Sequence, residues 1–274
     1  MWFFRLENIS SSSPLFKLGY IQAMNEFLEI ILLFGVGFVA GIINTLAGGG
    51  SLLTLPVLIF LGLPPHIANG TNRIVILFQS ITGTLGFRSK NISVAPLPLY
   101  LGLTATLGSI VGAQIAIDIN GELFNKILAV LMIAIGILIL FKKNSAHLLS
   151  PQKPIQRAKY LSLFLFFFVG LYGGFINAGI GFVILLILTR INHLSFVQAN
   201  AVKVAVVTLY TTAALLFFSI NNAVSWRSGL WMAMGSAISA WLTSRWSVNK
   251  DDRWMRIFLF AMVLLLALKL WNDQ

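Results

Sequence analysis

The sequence predicts an all-α, polytopic transmembrane bundle of about eight to ten helical elements, arranged as two inverted repeats with broken helices. Three observations carry that prediction. The chain of 274 residues is 58% hydrophobic and 10% charged, with a mean hydropathy of +0.89, whereas soluble domains carry roughly 25% charged residues. Apolar runs recur along its length, several with the ~20 residues that a 30 Å hydrocarbon core requires. An internal echo joins its halves: a shift of 131 positions carries Ala47, Gly48 and Gly50 onto Ala178, Gly179 and Gly181, and Ala68-Asn69 onto Ala199-Asn200.

Residues 1–25 read as an interfacial or disordered leader. Ser10 to Ser13 and Pro14 interrupt any helix there, and the apolar core of a cleaved signal peptide is missing. The first transmembrane repeat is expected over 26–141, with apolar runs at 27–47, 51–62, 67–87, 96–117 and 123–141. Residues 142–159, which hold several cations together with Pro151 and Pro154, form a cytoplasmic linker. The second repeat, 160–274, has runs at 160–177, 181–192, 197–219, 228–246 and 254–271. Runs 51–62 and 181–192 would cover only about 18 Å as straight helices. Each follows a glycine cluster, so each is read as part of a discontinuous helix, broken where backbone polar groups line a cavity rather than face lipid. Pro64-Pro65 stops the first short helix and starts the next.

Lys and Arg favour cytoplasmic loops. With the linker inside, Arg88, Lys90, Arg190, Arg245, Lys250, Arg253 and Arg256 also fall inside, and Arg5, Lys17, Lys126, Arg227 and Lys269 fall outside. Five elements on each side of the linker then give the second half a polarity opposite to the first. Because the bases sit in short gaps between apolar runs and not on a soluble face, nucleic acid is excluded as a partner.

Ionisable groups inside the membrane are costly and are functional candidates by default. Arg73 and Lys203 are the two such groups. Asn69 precedes Arg73 by four residues and Asn200 precedes Lys203 by three, so amide and cation share a helical face in each half. No acid lies in the hydrophobic runs to neutralise them. Buried cations of this kind suit an anionic ligand, and helix N-termini at the glycine breaks add backbone N–H donors and a positive dipole end. Gly48, Gly49, Gly50 and Ser51 would form one cradle, and Asn177, Gly179 and Gly181 the other. Asn69, Asn72 and Asn200 would supply hydrogen bonds. A competing reading lets Arg73 snorkel to the interface and assigns the glycines to close helix packing.

His66, His147 and His193 have no second histidine or carboxylate at metal-ligand spacing, and there is no cysteine, so neither a metal nor another cofactor is expected. Phosphate-loop and nucleophile-elbow patterns are absent, and an enzyme is not expected. The phenylalanines from Phe164 to Phe168 are assigned to lipid or its interface. Asn44, Gln79 and Gln114 are polar within apolar runs and suit interhelical hydrogen bonds.

Gly37-Phe38-Val39-Ala40-Gly41, Ala47-Gly48-Gly49-Gly50-Ser51-Leu52-Leu53-Thr54-Leu55-Pro56 and Leu61-Gly62-Leu63-Pro64-Pro65-His66-Ile67-Ala68-Asn69-Gly70-Thr71 resemble the sulfite exporter TauE/SafE family of bacterial membrane permeases. Gly170-Leu171-Tyr172-Gly173-Gly174 through Ala178-Gly179-Ile180-Gly181-Phe182 resembles the family's second glycine motif, with Ile180 interrupting the glycines and Ile187 standing where Pro56 would repeat. The likeness spans residues 27–271. It implies a multi-pass protein of the bacterial inner membrane that exports, or in some cases takes up, sulfite, sulfoacetate or a related sulfonate.

The combined expectation is a secondary transporter of a small sulfur-containing anion by alternating access. An anion channel and a permease for another small organic anion remain alternatives. Membrane lipids and the anion are the expected partners, with a homodimer as an open option.

Overall fold

The structure, a computed structural model, describes residues 14–92, 95–140 and 156–248. Among the described residues it holds nine helices and no strand: α1 (Pro14–Leu46), α2 (Ser51–Phe60), α3 (Pro65–Arg88), α4 (Leu97–Asp118), α5 (Gly121–Leu140), α6 (Gln156–Phe175), α7 (Ile180–Arg190), α8 (Phe196–Ile220) and α9 (Trp226–Ser247). Every apolar run from 27 to 246 thus becomes one helix. The run 254–271 and linker positions 142–155 lie outside the described residues, as do residues 1–13 of the expected leader. Helix α1 begins inside that leader, at Pro14, where proline suits the first turn because its missing N–H has no intrahelical partner there.

Among the described residues, three segments are long and apolar enough to cross a membrane: Glu26–Leu46, Leu97–Asp118 and Phe196–Ile220. The fold presents apolar side chains outward, such as Leu99, Leu103 and Leu107 of α4 and Phe164 and Phe168 of α6, while Asn69, Asn72, Gln79, Asn200 and Ser236 are buried. That inversion of the soluble pattern is what a lipid solvent requires, since polar groups there must find partners inside the protein. Phe166 departs from the lipid-facing assignment of its run and is buried against the core, because one helical turn cannot point all of its side chains the same way.

Helix α1 packs on α9, α9 on α3, α3 on α8, α8 on α4 and α4 on α6. Exchanging α1 with α6, α3 with α8 and α4 with α9 returns the same series. The short helices obey the same exchange, α2 resting on α1 and α3 as α7 rests on α6 and α8. Small residues permit these contacts. Gly37 and Gly41 of α1 meet the backbone of α9, and Gly170 and Gly174 of α6 meet that of α4, each pair spaced four apart as in close-packed membrane helices. A Cβ at Gly170 would lie 1.8 Å from the Ala105 carbonyl oxygen. Gly170→Ala is therefore expected to cost about 1–3 kcal/mol of overpacking, read as a lower melting midpoint of the detergent-solubilised protein. An unchanged midpoint would contradict the close α4–α6 crossing.

Helix α3 starts with Pro65 at its first position after Pro64, as the proline pair predicts. Helix α8 starts differently: Ser195 accepts from the Gln198 N–H, and the Gln198 side chain accepts from the Ser195 N–H, forming a capping box.

Candidate functional site

The two glycine breaks meet at the centre of the bundle. Gly48 sits at φ +88°, Asn177 at +58° and Gly179 at +70°, left-handed backbone that lets the chain leave one helix and enter the next within four residues. The Gly181 N–H donates to the Gly48 carbonyl over 3.3 Å. A Cβ built on Gly48 would lie 2.1 Å from the Gly181 Cα, and the reverse distance is the same, so two backbones touch where any side chain would intrude. This contact takes one N–H of the second predicted cradle for the protein itself. Gly49, Gly50 and Ser51 form the entry to α2, with Gly50 as its N-cap. The Ser51 hydroxyl is buried without a partner.

Both predicted cations are fully within the bundle, Arg73 at 0% and Lys203 at 2% exposure, which removes the snorkelling alternative for Arg73. Their partners are helix ends. The Arg73 guanidinium donates to the Gly173 carbonyl, to the Gly174 carbonyl over 2.9 Å and to Asn69 Oδ1 over 3.0 Å, and lies 5.4 Å from the Phe218 ring centroid. Asn69 Nδ2 donates to the Phe175 carbonyl over 2.7 Å. Helix α3 of the first half thereby caps the last turn of α6 in the second. Lys203 Nζ donates to the carbonyls of Asn44 and Thr45, each over 2.9 Å, and to Asn200 Oδ1 over 2.7 Å. Helix α8 of the second half thereby caps α1 of the first.

The last four carbonyls of any helix lack intrahelical donors, and at membrane depth no water supplies them. A cation at a helix C-terminus also meets the negative end of the dipole. The break and the cation therefore require one another, an association that spacing alone left unexplained.

Thr54 Oγ1 donates to Asn72 Oδ1 over 2.7 Å. The remaining Nδ2 of Asn72, Nδ2 of Asn200 and Nε of Arg73 are buried donors without a protein partner. Among the described residues the ion pairs are Lys126–Glu122 and Arg227–Glu26, both exposed, and neither involves Arg73 or Lys203. No cluster of three metal-ligating side chains occurs among the described residues.

A small cavity of about 10 Å³ lies against the meeting breaks, on the order of a single water. Of the predicted site residues, Gly48, Asn177, Gly181 and Lys203 line it. Gly49, Gly50, Ser51, Asn69, Asn72, Arg73, Gly179 and Asn200 do not line it. Asn44, Gln79, Ser80 and Tyr210 also line the cavity. Asn44 Nδ2 donates to Gln79 Oε1 over 3.0 Å, the interhelical bond expected of these two. Tyr210 and Ser80 escaped the sequence reading. Tyr210 was recoverable, because the 131-residue shift that pairs Asn69 with Asn200 carries Gln79 onto Tyr210.

A family model described as "Sulfite exporter TauE/SafE" matches residues 33–270. A "Probable membrane transporter protein" of Haemophilus influenzae is 30% identical over 250 residues, covering 89% of this chain and 95% of the relative. The Sinorhizobium "Probable membrane transporter protein ORF9" is 28% identical over 247 residues, covering 90% and 94%. The Escherichia coli "Probable membrane transporter protein YfcA" is 28% identical over 247 residues, covering 89% and 90%. No solved structure matches the chain significantly.

Proposed function

The chain belongs to the sulfite exporter TauE/SafE family of membrane transporters, and from that premise we propose that it is a secondary transporter of a small sulfur-containing anion, sulfite or a sulfonate such as sulfoacetate. The proposed route is across a bacterial inner membrane by alternating access, and export is the direction that the family's description suggests.

The observation that carries this reading is an excess of buried positive charge. Arg73 and Lys203 contribute two charges, and the C-termini of α1 and α6 that they cap offset about half a charge each. The adjoining N-termini of α2 and α7 contribute about half a positive charge each. Roughly two positive charges thus remain at membrane depth, with no acid among the described residues to meet them. An anion lowers the cost of that arrangement, a neutral solute leaves it uncompensated and a cationic one raises it. The unpartnered donors of Asn72 and Asn200 favour an acceptor-rich ligand. The cavity, with room for about one water, is too narrow for a continuous open pore, which favours a carrier over an open channel.

The 131-residue echo, the charge asymmetry of the loops and the exchangeable contact series support two inverted halves rocking about the meeting breaks. The test is flux in proteoliposomes with sulfite, sulfate, sulfoacetate, thiosulfate and chloride. One sulfur anion should move with saturation and support counterflow. Absence of flux for every anion overturns the proposal, and unsaturable flux without counterflow replaces the carrier with a channel.

A further inference from the structure

We propose that two hydrogen-bonded pairs, Asn44–Gln79 and Asn177–Tyr210, form the two walls of an oxyanion subsite at the central cavity, in which Lys203 and not Arg73 supplies the charge. This rests on the transport reading above and deepens it.

The pairs bridge corresponding elements of the two halves. Gln79 and Tyr210 differ by the repeat shift of 131 and occupy matching places on α3 and α8. Asn44 lies in the last turn of α1 and Asn177 in the break after α6, so the two asparagines flank the breaks without being equivalent by that shift. All four residues line the same cavity, where Gly48 and Gly181 touch. Gln79, Asn177 and Tyr210 are 3%, 3% and 0% exposed.

In each pair the structure engages one amide oxygen. Asn44 Nδ2 donates to Gln79 Oε1 over 3.0 Å, which occupies the Gln79 oxygen and leaves its N–H2 for another acceptor. Tyr210 Oη donates to Asn177 Oδ1 over 2.6 Å, which occupies the Asn177 oxygen and leaves that N–H2 likewise. Two amide donors from opposite halves thus border one cavity, together with the Lys203 ammonium. The cavity as it stands takes about one oxygen, and a sulfite or sulfonate would bind there as the two breaks part, with its oxygens reaching both amides. Arg73 does not border this cavity and acts on the fold by holding the end of α6.

Tyr210 reaches the ligand through Asn177, and is therefore a positioning residue. Its hydroxyl can be removed while its ring, packed beside Gly173, is kept. Gln79→Glu preserves the acceptor for Asn44 and exchanges the free N–H2 for a negatively charged oxygen.

The experiment is initial-rate sulfite flux in proteoliposomes for wild type, Tyr210→Phe and Gln79→Glu, with Gln114→Glu as a control on the exposed face of α4. Tyr210→Phe should raise KM about tenfold with Vmax within about twofold, the loss of one oriented hydrogen bond to a charged group. Gln79→Glu should lower flux at least about a hundredfold while the control keeps wild-type rates. Sulfoacetate should compete with sulfite and chloride should not. If wild type moves sulfite and both variants keep its KM, the subsite is overturned and the transport proposal survives. If wild type moves no anion, both fall. Chloride competing as well as sulfoacetate overturns the recognition of oxygens. Should Gln79→Glu fail to fold, Gln79→Met takes its place, with an unchanged KM again overturning the subsite.

Discussion

Lys203→Gln is expected to abolish anion flux, whereas Arg73→Gln should weaken the fold and leave the apparent affinity of the surviving protein unchanged. Both cations are buried and both cap a helix end, but only Lys203 also borders the central cavity. A positive charge about 4 Å from an anion contributes roughly 4 kcal/mol at an effective dielectric near 20, so its removal predicts a loss of about two to three orders of magnitude in flux at low substrate. Glutamine removes the charge and keeps two N–H donors on a side chain one atom shorter, so melting curves beside the flux separate the loss of charge from any loss of the cap. At Arg73 the substitution leaves at least one of the carbonyls of Gly173 and Gly174 without its donor. A buried acceptor stripped of its partner costs about 1–3 kcal/mol. Flux kinetics and detergent melting curves on both variants decide the matter. A raised KM in folded Arg73→Gln would end the division of labour between the two cations.

Gly48→Ala should be the most damaging small substitution in the glycine cluster, with Gly49→Ala nearly neutral. At Gly48 the backbone is left-handed, at φ +88°, and the new Cβ would lie 2.1 Å from the Gly181 Cα. Neither neighbour is a flexible side-chain end, so the two breaks would have to separate. Backbone strain of about 1–3 kcal/mol and overpacking of about 1–3 kcal/mol combine to about 2–6 kcal/mol, enough to unfold a marginally stable protein. A Cβ on Gly49 meets the Phe182 ring at 3.0 Å, and a ring can turn aside, so the expected cost stays below about 1 kcal/mol. Melting midpoints of the two variants, measured side by side, test the order. Equal midpoints would show that the breaks do not touch as described.

The helices were legible in the sequence because each is a mostly apolar run bounded by short polar, glycine or proline breaks. The short runs 51–62 and 181–192 announced broken helices by length alone, and α2 and α7 occupy those places. The internal echo was legible from identities such as Asn69 with Asn200. The same shift, applied to Gln79, pointed to Tyr210, but a tyrosine in a hydrophobic helix carries no polar signal of its own.

What the sequence determined by itself is the class of the protein: a helical membrane transporter whose halves each carry a break, an asparagine and a cation. Local composition suffices for that, because the bilayer admits few structures and makes every buried charge conspicuous. Only the tertiary structure decided what the cations do. Arg73 lies one hundred residues from Gly173 and Lys203 lies 159 from Asn44, and no periodicity reports a bond of that span. Their partners are main-chain carbonyls at helix ends, groups that every residue possesses and that become special only when a break leaves them without donors.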